Sequence, residues 1–207
     1  MSGLLEMFTD FVCPWCYLGE KQLQQAIDGR DIVVRYVYFP LHPETPIDGM
    51  TLQQLFAGRN VDVEKSQAEL GKMMRDEGLS YGLRTHTYNS NAAQHLAKYL
   101  EMIDTGVEAE IARRFRAEVF LAYFARGENI ARPDVLADIL LKAGVEGVEV
   151  QQALSDTAAS GELTADWEYC RNNYVTSVPA YRIGGNWVRG CGGVEVLESL
   201  IRAEHVD

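Results

Sequence analysis

The sequence predicts an α/β protein whose small mixed sheet is interrupted, along the chain, by a large all-helical insertion. Three observations carry that expectation. A β-α-β pattern opens the chain, a β-β-α pattern closes it, and the long stretch between them reads almost wholly as helix. The outer patterns make one sheet only if the helical block is inserted between them.

Leu4–Thr9 (LLEMFT) is an apolar run of strand length. The stretch CPWCYLGEKQLQQAID follows, with Tyr17, Leu23 and Ile27 on a helical period. Ile32–Phe39 (IVVRYVYF) is β-branched and aromatic, a strong strand signal. The connector PLHPETPIDG then places three prolines within seven residues, which prevents regular structure. From Thr51 to about Asn173 helix dominates. Val107, Ile111, Phe115 and Val119 recur every four residues, and Phe120 and Phe124 extend their face. Asn89 or Ser90 suits the cap of a helix carrying His95 and Leu100, and Pro133 suits the first turn of another. Near the end, SVPAYRIGGNWVRG reads as two short strands joined at Gly184-Gly185. A last helix runs from roughly Val194 to Ala203, with Val194, Leu197 and Ile201 on one face. The expected division is residues 1–45 with 174–207 for the sheet unit, and 46–173 for the helical insertion with its connecting helix.

Composition narrows the function. With 207 residues and 47% hydrophobic content, a packed core forms without disulfide staples. The net charge of −11, from 30 acidic and 19 basic residues, argues against nucleic acid and against anionic membrane surfaces as partners. No apolar run approaches the length of a membrane span. The start MSGLLEMFTD shows neither a signal-peptide nor a transit-peptide pattern, so the cytoplasm is the expected compartment. Persistent structural disulfides are rare there, and a CxxC pair points to redox chemistry or to metal.

That pair is Cys13 and Cys16, within FVCPWCYLG at the junction of the first strand and its helix. Pro14 suits the first helical position, where its missing N–H does no harm. Cys13 then lies near the helix N-cap, beside unpaired N–H groups and the positive end of the dipole. The dipole favours a thiolate by roughly 0.3–1 kcal/mol. A larger effect needs direct hydrogen bonds to the Cys13 sulfur from the Trp15 and Cys16 N–H groups or from the Cys16 thiol. Cys16, one turn deeper, keeps the higher pKa. Cys13 is therefore the attacking thiol and Cys16 the resolving one. Trp15 cannot support the thiolate as a histidine in its place would, and Glu20 mildly opposes it. Structural zinc is the rival reading, but Cys170 and Cys191 form no second pair. His42, His86, His95 and His205 show no ligand spacing either, so no metal is expected. The remaining alternative is two inert neighbouring thiols.

Ser177-Val178-Pro179 precedes the penultimate strand, where a proline is tolerated for structural reasons alone. Together with the upstream CxxC it is more specific. The segments TDFVCPWCYLG, NSNAAQHLAKYLE, AEVFLAYFARGENIARPDVLADILLKAGV and SVPAYRIGGNWVRGCGG cover most of the chain. In them the sequence resembles the thioredoxin superfamily and, within it, the DsbA-like branch often called FrnE-like. The resemblance implies a thioredoxin fold interrupted by a helical domain, with a cis peptide before Pro179 facing the cysteine pair. It further implies that Pro14, Trp15, Val178 and Pro179 shape the substrate groove, with Val178 backbone groups pairing with an extended substrate. Where the family's loop before the last helix commonly reads like SGAQ, this chain has RGCGG, which brings Cys191 to the same side as the CxxC. Cys191 is either a third thiol near the site or an incidental small residue. Cys170 reads as a buried spectator and His42 as a loop-packing residue. Arg84, Asn89 and His95 suit either a cleft or local packing and capping.

The leading functional reading is a thiol–disulfide oxidoreductase of the DsbA family, exchanging disulfides through Cys13 and Cys16 with protein or small-molecule partners. No bound cofactor is expected, and glutathione or another thiol would serve as redox partner. The alternative is a glutathione-dependent isomerase or transferase resembling 2-hydroxychromene-2-carboxylate isomerase or kappa-class glutathione transferase. Those relatives generally carry a single site residue in place of the redox pair. A third reading is a partner-binding protein or chaperone that uses the groove around Trp15 and Val178. Oligomeric state stays open.

Overall fold

The computed structural model describes residues 3–104 and 110–203; Val107 and His205 lie outside the described residues. In chain order the elements are β1 (Gly3–Thr9), α1 (Pro14–Ile27), β2 (Ile32–Tyr38), β3 (Met50–Thr51), α2 (Leu52–Leu55), α3 (Val63–Asp76), β4 (His86–Thr87) and α4 (Asn91–Ile103). Then follow α5 (Glu110–Phe120), continued by a π-helical turn over Leu121–Ala125, α6 (Pro133–Lys142), α7 (Val150–Leu154) and α8 (Thr157–Asn172). The chain closes with β5 (Ala180–Ile183), β6 (Asn186–Arg189) and α9 (Val194–Ala203). It divides into two compact units. One takes the chain through Leu41 together with the chain from Thr164 onward, and the other spans His42–Leu163. The second boundary thus falls inside α8, whose later residues serve the sheet.

In the first unit the strands run in the order β2-β1-β5-β6. β1 and β2 are parallel, and the β1–β5 and β5–β6 pairs are antiparallel. Register sorts side chains onto two faces because successive residues alternate. Met7 opposes Tyr181 and Leu5 opposes Ile183, and all four are fully buried or nearly so. The side of α1 carrying Cys16, Gly19, Leu23 and Ala26 is buried as well.

The other face carries Glu6, Phe8, Arg35, Arg182 and Trp187, and the later part of α8 packs there. The Phe8 ring stacks on Tyr169 at 6.1 Å and on Trp187 at 5.2 Å. Glu6 is only 5% exposed, yet its charge is fully engaged. Its carboxylate meets Arg182 Nε at 2.8 Å and Arg35 Nη1 at 3.1 Å, and accepts the Tyr169 hydroxyl at 2.9 Å. Asp166 accepts the Tyr38 N–H at 3.0 Å. Cys170 is buried here, its thiol 3.6 Å from the Tyr38 carbonyl.

The helical unit buries apolar stripes from α4 (Leu96, Leu100), α5 (Phe115, Val119), α6 (Leu136, Ile139) and α7 (Val150, Ala153). Pro133 stands in the first turn of α6, and the Asn89 side chain accepts the Asn91 N–H at 2.9 Å ahead of α4. Asn89 also donates to the Pro43 and Thr45 carbonyls, which gives it a local structural role. Two features differ from the sequence reading. A two-residue antiparallel ladder pairs Met50 with Thr87 and Thr51 with His86. The helical period of α5 also breaks after Phe120, where the wider π-turn begins. There the Gly82 N–H donates to the Phe124 carbonyl at 2.8 Å, and a Cβ on Gly82 would lie 2.5 Å from the Ala125 carbonyl oxygen. Only glycine permits that approach.

α8 ends in a Schellman arrangement: Tyr174 N–H donates to Arg171 O, and Val175 N–H to Cys170 O. Its left-handed position, normally glycine, is Tyr174 with φ +54°, and the side chain is 84% exposed. A non-glycine residue there costs roughly 1–2 kcal/mol, partly offset by the extra unfolded-state freedom that glycine brings. Tyr174→Gly is therefore expected to raise unfolding stability by about 1 kcal/mol. The measurement is the urea midpoint at unchanged m-value, and a lower midpoint would show that the phenol ring contributes packing.

Candidate active site

Cys13 occupies the N-cap of α1 with extended backbone (φ −90°, ψ 115°), and Pro14 follows at the first helical position. The cap has no side-chain acceptor, and the first turn has no acidic residue. The free amide hydrogens at this end are thus left to the Cys13 sulfur. The chain reaches this point through a tight turn in which Cys13 N–H donates to the Asp10 carbonyl at 3.2 Å. Cys16 and Tyr17 N–H groups then donate to the Cys13 carbonyl at 3.1 and 3.3 Å, which starts the helix.

Both thiols are free and both are buried, Cys13 at 5% exposure and Cys16 completely. Burial alone would push both pKa values up. They diverge because of their partners. The Cys16 thiol donates to the Cys13 sulfur, and the Cys16 and Trp15 backbone N–H groups add to it. These bonds outweigh burial and the nearby Asp10 carboxylate and hold the Cys13 thiol below its ordinary range. Cys16 is pushed well above it, by burial first and then by its bond to Cys13 and the Cys13 charge. The opposing carboxylate is that of Asp10. Glu20, to which the sequence assigns that effect, accepts the Tyr36 hydroxyl at 2.8 Å and the Gln24 amide at 3.2 Å.

The loop before β5 closes the site. The Val178–Pro179 peptide is cis, and the Cys13 thiol lies 3.4 Å from the Val178 carbonyl oxygen. Two residues that are 165 apart in sequence thus meet at one sulfur. That contact needs the thiol proton, so it competes with ionisation and is lost when the thiolate forms. Pro14 is half-buried, Val178 and Pro179 are buried, and Trp15 stands 41% exposed on the outer side of the first turn.

The RGCGG loop is tied to α1 rather than left loose. Gln22 Oε1 accepts the Cys191 thiol at 3.0 Å and the Gly193 N–H at 3.2 Å, while Gly190 N–H donates to the Pro179 carbonyl at 2.8 Å. Cys191 is half-buried, and its charge bears on the Tyr181 hydroxyl together with those of Cys16 and Cys13. Among the described residues no three His, Cys, Asp or Glu side chains converge as a metal site would require.

The sequence reading does not single out several residues of this site. Asp10, fully buried, accepts the Val12 N–H at 3.3 Å and the Leu41 N–H at 2.8 Å, and so fixes the turn that presents Cys13. An aspartate three residues ahead of a helix cap is a turn signal that would have found it. Gly19 is the second. A Cβ there would collide with the Tyr181 hydroxyl and lie 3.3 Å from Pro179 Cγ. Tyr181 is the third. Its buried hydroxyl has no hydrogen-bond partner among the described residues, and its pKa is driven far up, by burial first and then by the cysteine sulfurs.

Comparison with known proteins agrees with this geometry. The family model described as "DSBA-like thioredoxin domain" matches residues 4–202. The chain is 24% identical over 212 residues to the uncharacterized protein YwbO of Bacillus subtilis (strain 168), covering 99% of this chain and 98% of that one. It is similar in structure to the probable DsbA oxidoreductase SCO1869 of Streptomyces coelicolor, with TM-score 0.83 and 26% identity over 99% of this chain and 91% of the other. A 2-hydroxychromene-2-carboxylate isomerase shares the fold at TM-score 0.71 and 17% identity, over 98% of this chain and 96% of the other.

Two predictions follow from the packing and the charge. Alkylation of the reduced protein by limiting iodoacetamide should label Cys13 first, with a rate midpoint below the ordinary thiol pKa of about 8.5. Cys16 should react only above that pH, and equal labelling would remove the distinction between the two thiols. Gly19→Ala should destabilise by about 1–3 kcal/mol through overpacking. Tyr181→Phe, which deletes an unpartnered buried hydroxyl, should be neutral or stabilising and should recover much of the Gly19→Ala loss. Additive effects in the denaturation cycle would show that the two do not share this contact.

Proposed function

The chain belongs to the DSBA-like thioredoxin domain family, and from that premise we propose that it is a thiol–disulfide oxidoreductase working through Cys13 and Cys16. The observation that carries this reading is a pair of buried thiols one helical turn apart, Cys13 at the cap of α1 beside the cis Val178–Pro179 peptide and Cys16 fully buried in the first turn. Two-step exchange requires one thiol that ionises more readily than its neighbour, and the lowered Cys13 and raised Cys16 pKa run in that direction.

The Cys13 thiolate attacks one sulfur of a substrate disulfide and forms a mixed disulfide, and the other substrate sulfur leaves as a thiolate that takes up a proton. Once Cys13 is bonded it carries no charge, so the Cys13 contributions to the raised Cys16 pKa are gone and burial alone still opposes ionisation. Cys16 then loses its proton and attacks the Cys13 sulfur. The second substrate thiol is released, and Cys13 and Cys16 are left as a disulfide, having given up two electrons. The reverse sequence oxidises a dithiol substrate. The Val178 carbonyl, beside the Cys13 sulfur, is placed to pair with an N–H of an extended peptide at the moment of exchange. Trp15 and Pro14 form the opposite border. Substrates are protein or small-molecule disulfides and thiols, with glutathione or another thiol closing the cycle in the cytoplasm. Among the described residues no helix is long and apolar enough to cross a membrane.

A glutathione-dependent isomerase on this fold would need one reactive group and no resolving thiol, and the second thiol, Cys16, one turn from Cys13 supports the oxidoreductase reading. The test is the pair of serine variants. Cys13→Ser should reduce insulin reduction and deglutathionylation to the uncatalysed level. Cys16→Ser should accumulate a mixed disulfide at Cys13, seen as a mass adduct reversed by dithiothreitol. Absence of an adduct, together with a wild-type protein inert toward disulfides, would overturn the oxidoreductase reading in favour of the isomerase.

A further inference from the structure

The helical unit holds a positive charge that no carboxylate among the described residues neutralises. Arg84, just ahead of β4, is 8% exposed. Among the described residues no carboxylate pairs with it, and its buried Nε–H meets no acceptor. Arg116 differs in its counter-charge. That side chain is as deeply buried, and it pairs with Glu101 at 3.2 Å.

What faces Arg84 is aromatic. Its guanidinium carbon lies 5.4 Å from the Tyr123 ring centre and 5.7 Å from that of Phe124. Both rings come from the π-turn Leu121–Ala125, and such turns recur at functional sites. Cation–π contact recovers only part of the cost of burying an unpaired ion. Arg84 lines a cavity of about 20 Å³ together with Thr85, His86, Tyr88 and Tyr123. No acidic residue lines it. Its walls are themselves held in place. The Thr85 hydroxyl and His86 Nδ1 are 2.9 Å apart, and the Tyr123 hydroxyl donates to the His86 carbonyl at 3.3 Å. Leu83 at its rim is an exposed side chain, so the space borders solvent.

We propose that Arg84 and this cavity form a binding site for a small monoanion, a halide or a single carboxylate group, that accepts the buried Nε–H and neutralises the guanidinium. Charge sets the class. The space admits one ligand atom, and one guanidinium balances one negative charge, so a compact monoanion, a halide or a carboxylate, matches it better than a dianion such as sulfate. The anion is either a free ion or the carboxylate of a larger molecule whose remainder lies outside, past Leu83.

Thermal unfolding of the full chain tests this with bromide or formate exchanged against sulfate at constant ionic strength. The wild type should gain about 5–10 °C at a hundred times the dissociation constant, and Arg84→Met should show no response to either ion. Because methionine removes a buried unpaired charge, Arg84→Met should be no less stable than the wild type measured in sulfate alone. N-acetylglycine saturating at lower concentration than formate would identify the carboxylate of a larger molecule, and equal saturation would identify the free ion. Should Arg84→Met fail to fold, anomalous diffraction from bromide-soaked wild-type crystals decides the matter, with a peak expected within hydrogen-bond distance of Arg84 Nε. A flat wild-type response, an equal response in Arg84→Met, or no bromide at Arg84 would overturn the proposal and leave a water as the partner of that N–H.

Discussion

The close approach of α1 to β5 is the constraint on which the sheet unit's chemistry depends. Gly19 has no side chain, so α1 lies directly on the Tyr181 hydroxyl and the Pro179 ring. That seating carries the start of the same helix to the loop before β5, where the Cys13 sulfur meets the Val178 carbonyl. It also buries Cys16 completely. A side chain at position 19 would lift the helix and disturb the sulfur, the groove and the burial together. The RGCGG loop adds a second fastening, since Gln22 of α1 holds it through Cys191 and Gly193. One helix therefore fixes three parts of the site that are distant in sequence.

Within that frame hydrogen bonding, not exposure, separates the two thiols. Cys13 and Cys16 are both buried, so desolvation penalises both thiolates. The helix dipole contributes about 0.3–1 kcal/mol at Cys13, too little to overcome burial at this depth. Hydrogen bonds to a charged acceptor contribute about 1.5–3 kcal/mol each, and Cys13 has one from the Cys16 thiol and two from backbone N–H groups. The arrangement is self-referential under the proposed exchange, because the donor that stabilises the Cys13 thiolate is the thiol that would later displace it. In the proposed exchange, bonding Cys13 to a substrate would remove the Cys13 contribution to the raised Cys16 pKa and leave burial as the remaining one.

Much of this was legible in the sequence wherever the signal is local. The alternation and β-branching of IVVRYVY mark β2, the apolar period marks α9 to the residue, and Pro14 places Cys13 at a helix cap. The π-turn was not legible, because Phe120 and Phe124 fit an ordinary four-residue spacing. What widens the turn is a backbone contact with Gly82, far away in sequence. Gly19 and Tyr181 stayed hidden for the same reason, since a glycine inside a helix states that something approaches but not what. The charged face of the sheet was hidden too. Glu6 sits in an apolar run, and its partners Arg35, Tyr169 and Arg182 come from three other elements.

Glu6 and Arg84 show two solutions to one electrostatic problem. Each is a buried charge in a chain that could have used an apolar residue, and an unpaired ion taken out of water costs several kcal/mol. Around Glu6 the cost is met within the protein, by two arginines and a tyrosine hydroxyl that fill its lone pairs. Arg35 and Arg182 in turn stack on the Tyr169 ring at 4.7 and 5.6 Å, so the network is closed and needs nothing from outside. Around Arg84 the rings are present, and among the described residues a carboxylate is not. Stacking on aromatic faces contributes about 2 kcal/mol or more when desolvated, but among the described residues it leaves the Nε–H without an acceptor. In a chain of net charge −11 an acidic partner is the commonest thing to supply, and Arg116 has one. A closed network is what a purely structural charge requires; an open one keeps its remaining hydrogen bond for an acceptor that comes from solution.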